Sequence, residues 1–214
     1  MRKSREDLIN VILVLTENMR IKELVDARLR EFKAMKEKSS QDWFIELCFC
    51  ILTANSSAEA GIRAQWMIGD GFLHLPKEQL KQLIKRAGCR FYRRKAEYIV
   101  VARKYADILK QEVTSYDNET DARDWLVKTF KGIGYKEGSH FLRNVGYDNV
   151  AILDRHILSI LTEFSLIDSI PKHMTRRRYF EIERVFINLA DNIGISPAAL
   201  DLYLWYLKTG KILK

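Results

Sequence analysis

The sequence predicts an all-α fold. Apolar residues recur at helical spacing along most of the chain, strictly alternating polar and apolar runs are hard to find, and only three prolines interrupt the 214 residues. A hydrophobic content of 47% can fill one sizeable domain or two small lobes.

Two helices open the chain, over 5–18 and 19–37, and the second carries Ile21, Leu24, Val25, Leu29, Phe32 and Met35 on one stripe. Ser39 or Ser40 caps a third, QDWFIELCFCILTAN, which is apolar on nearly every side and so is expected to run through the core. Ser57 caps a fourth, reaching about Ile68. Pro76 fits the first turn of a fifth that ends at Gly88, and a long basic helix follows from about Arg90 to Gln111. The polar stretch TSYDNET, 114–120, is the clearest linker. It precedes a block at about 121–145, where two helical stretches meet at Gly132, Ile133 and Gly134. The loop YDNVAIL leads to a helix beginning at Asp154, and SIPKHMT separates that from a helix near 175–191. SPAALDLYLWYLKTG closes the chain, with Ser196 as cap, Pro197 in the first turn and Gly210 as terminator. Helices before and after Thr114 are expected to form two lobes of a single domain, 1–113 and 114–214, with a cleft between them.

A formal charge of +8 is the footprint of a polyanionic partner without being proof of one. No stretch reaches the roughly eighteen uninterrupted apolar residues of a membrane span, and MRKSREDLINVILVLTENMR has an apolar core but no small-residue cleavage site. A soluble cytoplasmic protein is expected. Cys48, Cys50 and Cys89 lack metal-ligand spacing and are expected as buried thiols in a reducing compartment.

The most informative segment is WLVKTFKGIGYKEGSHFLRNVGYDNVAILDRHILSIL, 125–161, which sets Lys136 two positions after Gly134 and Asp154 eighteen residues beyond the lysine. Glycines flanking Ile133 permit a tight hairpin, because glycine accepts positive φ and lets backbone approach a ligand closely. Exposed N–H groups at such a turn bind phosphate. Lys136 then lies in the first turn of the next helix, where the macrodipole disfavours an ammonium and so favours the amine that attacks an electrophile. Asp154 reads as the cap of RHILSILTEF and, compatibly, as a carboxylate near positive charge on a sugar, the combined role being preferred to the cap alone.

This block resembles the helix-hairpin-helix and following Asp loop of the DNA glycosylase superfamily. With CFCILTAN (48–55), GCRFYRRKAEYIV (88–100) and DLYLWYLKTGKILK (201–214), the chain resembles the compact type 2 8-oxoguanine DNA glycosylase/AP lyases from about residue 20 to its last. The resemblance implies a helix-hairpin-helix glycosylase fold acting on double-stranded DNA containing 8-oxoguanine, as a monomer without metal or organic cofactor. It implies that Lys136 attacks C1′, expels the base and forms a Schiff base that undergoes β-elimination, with Asp154 stabilising the sugar. Phe91 and Trp205 would stack on either side of the flipped purine, although periodicity alone assigns both to the core. Lys214 would fold its side chain and carboxylate onto the lesion, where an acceptor favours the N7–H of 8-oxoguanine over guanine. Some relatives carry a four-cysteine iron–sulfur loop after the Asp, but no cysteine follows Cys89.

Weaker candidates are Lys128, Lys131 and Arg143 as backbone-binding charges, Asn55 as a filler of the extruded base's place or a cap, and His140 as a core histidine one turn after Lys136. The basic run 176–178 reads as a solvated face. Two other functions remain open on the residues alone: a non-catalytic helix-hairpin-helix module, and a monofunctional glycosylase for another damaged base.

Overall fold

A computed structural model describes residues 3–214, and among them every regular element is helical. In chain order the helices are α1 (Arg5–Glu17), α2 (Met19–Ala34), α3 (Ser40–Thr53), α4 (Ala58–Ile68), α5 (Gly71–His74), α6 (Lys77–Arg86) and α7 (Tyr92–Ala102). They continue as α8 (Leu109–Thr114), α9 (Glu119–Thr129), α10 (Tyr135–Asn144), α11 (Arg155–Glu163), α12 (Arg176–Ile193) and α13 (Pro197–Thr209). The caps expected at Ser39, Ser57 and Ser196 form, each side chain accepting a backbone N–H of the following turn. Pro76 stands at the N-cap of α6 rather than inside its first turn.

The long helix expected over 90–111 is broken. After α7 the chain tightens into a 3₁₀ turn, Arg103–Tyr105, and α8 starts afresh at Leu109. Arg103 donates to the carbonyls of Phe72 and Leu75 at 2.7 and 2.6 Å, and Ser40 Oγ accepts the Lys110 N–H at 3.1 Å. These tertiary bonds outbid the continuation of a helix whose intrinsic propensity is a weak constraint.

The chain divides into two compact units. One comprises Ala34–Val145, and the other joins the segment up to Lys33 to Gly146–Lys214. The boundary expected at 113 and 114 falls inside the first unit, because α9 and α10 pack with α8 and α3.

Within Ala34–Val145, α3 is the central strut, its residues from Trp43 to Thr53 all buried except Ile45, as its all-round apolar surface demands. Trp43 meets Phe141 of α10 edge-on at 6.0 Å and donates its indole N–H to the Met35 carbonyl at 2.7 Å. A buried polar network adds direction. Glu46 accepts from Asn144 Nδ2 at 2.6 Å and from Gln65 Nε2 at 3.1 Å, while Arg143 donates to Asn144 Oδ1. The register of α10 on α3 is thereby fixed by hydrogen bonds as well as packing.

In the other unit, α1 packs against α12 and α13, and α11 packs against α13. Ile21, Val25 and Phe32 of the α2 stripe are buried, but Leu24 is 50% exposed, since the face the unit covers is narrower than the stripe. Val150 to Leu153 form a buried segment with no regular secondary structure. Its Ala151 peptide is satisfied from α12, where Glu183 accepts the N–H at 3.1 Å and the Tyr179 hydroxyl donates to the carbonyl at 2.6 Å.

Replacing Glu46 by Ala strands the Asn144 donor in the core and takes an acceptor from part-buried Gln65, so Glu46→Ala should lower unfolding stability by about 3 kcal/mol, measured by urea titration.

Candidate active site

Gly132 makes the hairpin between α9 and α10 possible. Its φ is +89°, and a Cβ there would stand 2.8 Å from Tyr98 Cδ2, so both conformation and space demand glycine. Gly134 does not share that constraint; at φ −99° and ψ −173° it is the extended N-cap of α10. The two glycines therefore differ in role, contrary to their symmetric reading in sequence. Ile133 is buried and its N–H donates to Phe130, while Gly134 N–H donates to Glu137 Oε2 at 3.3 Å.

Lys136 occupies the second position of α10. Its side chain is 26% exposed, and Nζ lies 3.7 Å from Glu137 Oε1. The carboxylate nearest the amine in its own unit is thus its sequence neighbour, which sequence reasoning passed over. Glu137 bridges the hairpin and the lysine with its two oxygens. His140, one turn on, is buried with its ring edge-on to Phe49 at 5.5 Å, a core position as expected.

Asp154 lies in the other unit and caps α11. Oδ1 accepts from both His156 N–H and Ile157 N–H at 2.8 Å. Oδ2 has no hydrogen bond within the described residues and remains available to a positive charge. The cap and the electrostatic role are chemically compatible, because they use different oxygens. His156, held at the start of the same helix, meets Trp205 of α13 edge-on at 4.9 Å. Trp205 is partly exposed, yet its indole Nε1 is shielded from solvent and lacks an acceptor. After Gly210 the chain leaves α13, and Lys214 is only partly exposed.

Phe91, back in the Ala34–Val145 unit, is 54% exposed and not in the core where periodicity assigns it. It adopts φ +55°, ψ 30° at the N-cap of α7, a left-handed conformation that costs a bulky residue about 1–3 kcal/mol. The Arg90 guanidinium lies over its ring at 5.4 Å. Asn55, just past α3, is also exposed and left-handed, at φ +55°; Ser57, not Asn55, caps α4.

Two further readings concern charge: the one for Arg143 is corrected, and the one for the 176–178 run holds. Arg143 is buried in the Glu46 network and does not present its charge to solvent, whereas Lys128 and Lys131 are exposed. The 176–178 run is a solvated face, with Arg177 and Arg178 paired to Glu181.

Lys95 is the residue that sequence reading missed. It is 4% exposed, and Nζ donates to the Leu52 carbonyl at 2.7 Å and to Ser56 Oγ at 2.8 Å. Burial pushes its ammonium down from 10.5 to about 8; the charges of Cys89 and Glu137 oppose that shift, and those of Arg90 and Lys136 add to it. The signal was available, since Lys95 falls on the stripe it shares with Ile99 and Ala102 of α7. The thiols of Cys48 and Cys89 are raised by burial and so stay protonated. Among the described residues no cluster of three His, Cys, Asp or Glu side chains is placed to hold a metal ion, and no helix is long and apolar enough to cross a membrane.

Comparison with known proteins adds identity to this geometry. A family model described as 8-oxoguanine DNA glycosylase matches residues 25–195. The 8-oxoguanine DNA glycosylase/AP lyase of Methanocaldococcus jannaschii is 57% identical over 198 residues, covering 92% of this chain and 95% of the relative. That of Korarchaeum cryptofilum is 44% identical over 209 residues, covering 98% and 99%. The crystal structure of the M. jannaschii 8-oxoguanine glycosylase/lyase in complex with a 15mer DNA containing 8-oxoguanine superposes with a TM-score of 0.93 at 56% identity, over 97% of this chain and 99% of that one. The 8-oxoguanine DNA glycosylase of Thermotoga maritima gives 0.92 at 44% identity, over 98% and 100%.

The depressed Lys95 ammonium sets a pH dependence. Between about 8 and 10.5 the folded state binds fewer protons than the unfolded one, so the burial penalty present below about 8 is relieved as pH rises. The stability difference between the native protein and Lys95→Met should therefore shift in favour of the native protein from pH 8 to 10, followed by thermal unfolding across that range.

Proposed function

We propose, for a chain that belongs to the 8-oxoguanine DNA glycosylase family, a bifunctional repair reaction that runs through Lys136. The chain excises 8-oxoguanine from DNA and nicks the resulting abasic strand. Its partner is double-stranded DNA carrying the lesion. We place its action in the prokaryotic cytoplasm. The observation that carries the lysine's role is its place at the start of α10, three-quarters buried beside Glu137 and directly after the glycine-dictated hairpin.

The lone pair of Lys136 Nζ attacks C1′ of the extruded nucleotide as the C1′–N9 bond breaks and the purine leaves with a proton. Positive charge develops on the sugar during this step, and the uncommitted Oδ2 of Asp154 is the oxygen suited to oppose it. Opening of the sugar ring converts the adduct to an iminium. That electron sink acidifies C2′, whose proton is lost as the C3′–O bond breaks, cutting the strand. Water then releases the lysine.

Backbone groups of Gly132, Ile133 and Gly134 position the DNA backbone without reading sequence, with Lys128 and Lys131 adding salt-sensitive attraction. Arg143 is excluded from that duty by its burial. Exposure and strain at Phe91 suit a stacking surface for the purine, and Trp205 offers a ring with an unused N–H. Lys214 contributes lesion selectivity through its acceptor carboxylate.

Borohydride added during reaction with an 8-oxoguanine duplex should link the protein covalently to DNA. Lys136→Gln should abolish both adduct and strand nicking while leaving duplex binding in place; a protein that only grips DNA would give no adduct in either form. A tag fused after Lys214 should weaken lesion excision without changing the thermal unfolding midpoint, and unchanged discrimination between 8-oxoguanine and guanine would exclude the terminal role.

A further inference from the structure

The corner that carries Phe91 is tied to the segment linking α3 and α4 by a dense set of hydrogen bonds. Ser56 Oγ accepts the Arg90 N–H at 2.9 Å and a Lys95 Nζ proton at 2.8 Å. Lys95 Nζ also donates to the Leu52 carbonyl at 2.7 Å, and the Lys95 N–H to the Phe91 carbonyl at 3.1 Å. Arg63 Nε reaches the Ala87 carbonyl at 3.0 Å, and Cys89 Sγ reaches the Ala60 carbonyl at 3.5 Å. Ser56 N–H donates to Thr53, so the hydroxyl at the centre of this set is itself anchored to the end of α3.

The reaction scheme uses neither Ser56 nor Lys95. A buried cation is costly where an aliphatic side chain would pack, and a left-handed phenylalanine persists only where its surroundings over-determine it. The two costs meet at one hydroxyl. Ser56 immediately follows Asn55, the other exposed left-handed residue of this region, so one joint holds both unusual backbone conformations.

We propose that Ser56 and Lys95 form a clamp that presets Phe91 for the extruded purine, making them positioning residues for base recognition and not for strand cleavage. This rests on the reading of Phe91 as a stacking surface. Because a preformed abasic site has no base to recognise, cleavage there bypasses the clamp.

The test compares single-turnover excision from an 8-oxoguanine duplex with cleavage of a duplex holding a preformed abasic site. Ser56→Ala should slow excision about tenfold, the worth of roughly one hydrogen bond to the corner, while abasic cleavage stays within about twofold. In a Phe91→Ala background, Ser56→Ala should cost excision nothing further. Lys95→Met should repeat the Ser56→Ala pattern where it folds, and Ser56→Ala carries the test alone where it does not. Equal losses on both substrates, no loss on either, or additive losses with Phe91→Ala would each overturn the clamp. Absence of excision by the unaltered protein would instead overturn the function on which the clamp depends.

Discussion

The first N–H groups of an α-helix have no acceptor within the helix, and each of three side chains proposed to take part in the reaction stands beside such a deficit. Asp154 is the N-cap of α11, Lys136 the second residue of α10, and Phe91 the residue before α7. Each start is satisfied differently. α11 takes Asp154 Oδ1 twice and leaves Oδ2 uncommitted; α10 takes Glu137 at Gly134 N–H, which brings a negative charge beside an amine the macrodipole would otherwise repel. α7 gets no side-chain cap from Phe91, and its entry is held from outside, through Ser56. The side chains proposed to act in the reaction thus stand where backbone geometry is most tightly specified and most polarised.

Apolar packing tolerates sliding, whereas a buried hydrogen bond does not. Glu46 with Asn144, and Ala151 with Tyr179 and Glu183, each convert a packed interface into a fixed register. The first sets α10, which carries Lys136. The second holds the buried segment that leads to Asp154. Glu46 on α3 and Glu183 on α12 lie far in sequence from Lys136 and Asp154, yet each is hydrogen-bonded to the segment that carries one of those proposed catalytic side chains.

What the sequence made legible was local. Ser39, Ser57, Ser196 and Asp154 announce helix starts because a short polar side chain competes for the first N–H groups, and these starts fall within a residue or so of the structure. The hairpin was visible for a similar reason, since a glycine at a tight turn reports backbone geometry directly, while the roles of Lys136 and Asp154 rest on family resemblance. What was hidden was tertiary. Nothing near Arg103 says that its guanidinium will end a helix by reaching the carbonyls of Phe72 and Leu75, and nothing near Arg143 says that Asn144 will draw it inward. Lys95 was overlooked because a lysine is read as solvated unless its position on a stripe is checked. The grouping of α1 with α12 and α13 depends on residues far apart in the chain, so no window of sequence contains it.

That grouping bears on how the protein is made. The apolar face of α1, with Leu8 and Ile12, packs on α12 and α13, helices from the last third of the chain. During translation the Ala34–Val145 unit leaves the ribosome with all its own partners in hand, while the earliest helix waits. At roughly 5–20 residues per second that wait is on the order of ten seconds or more, which makes the nascent amino-terminal segment the natural client for a chaperone.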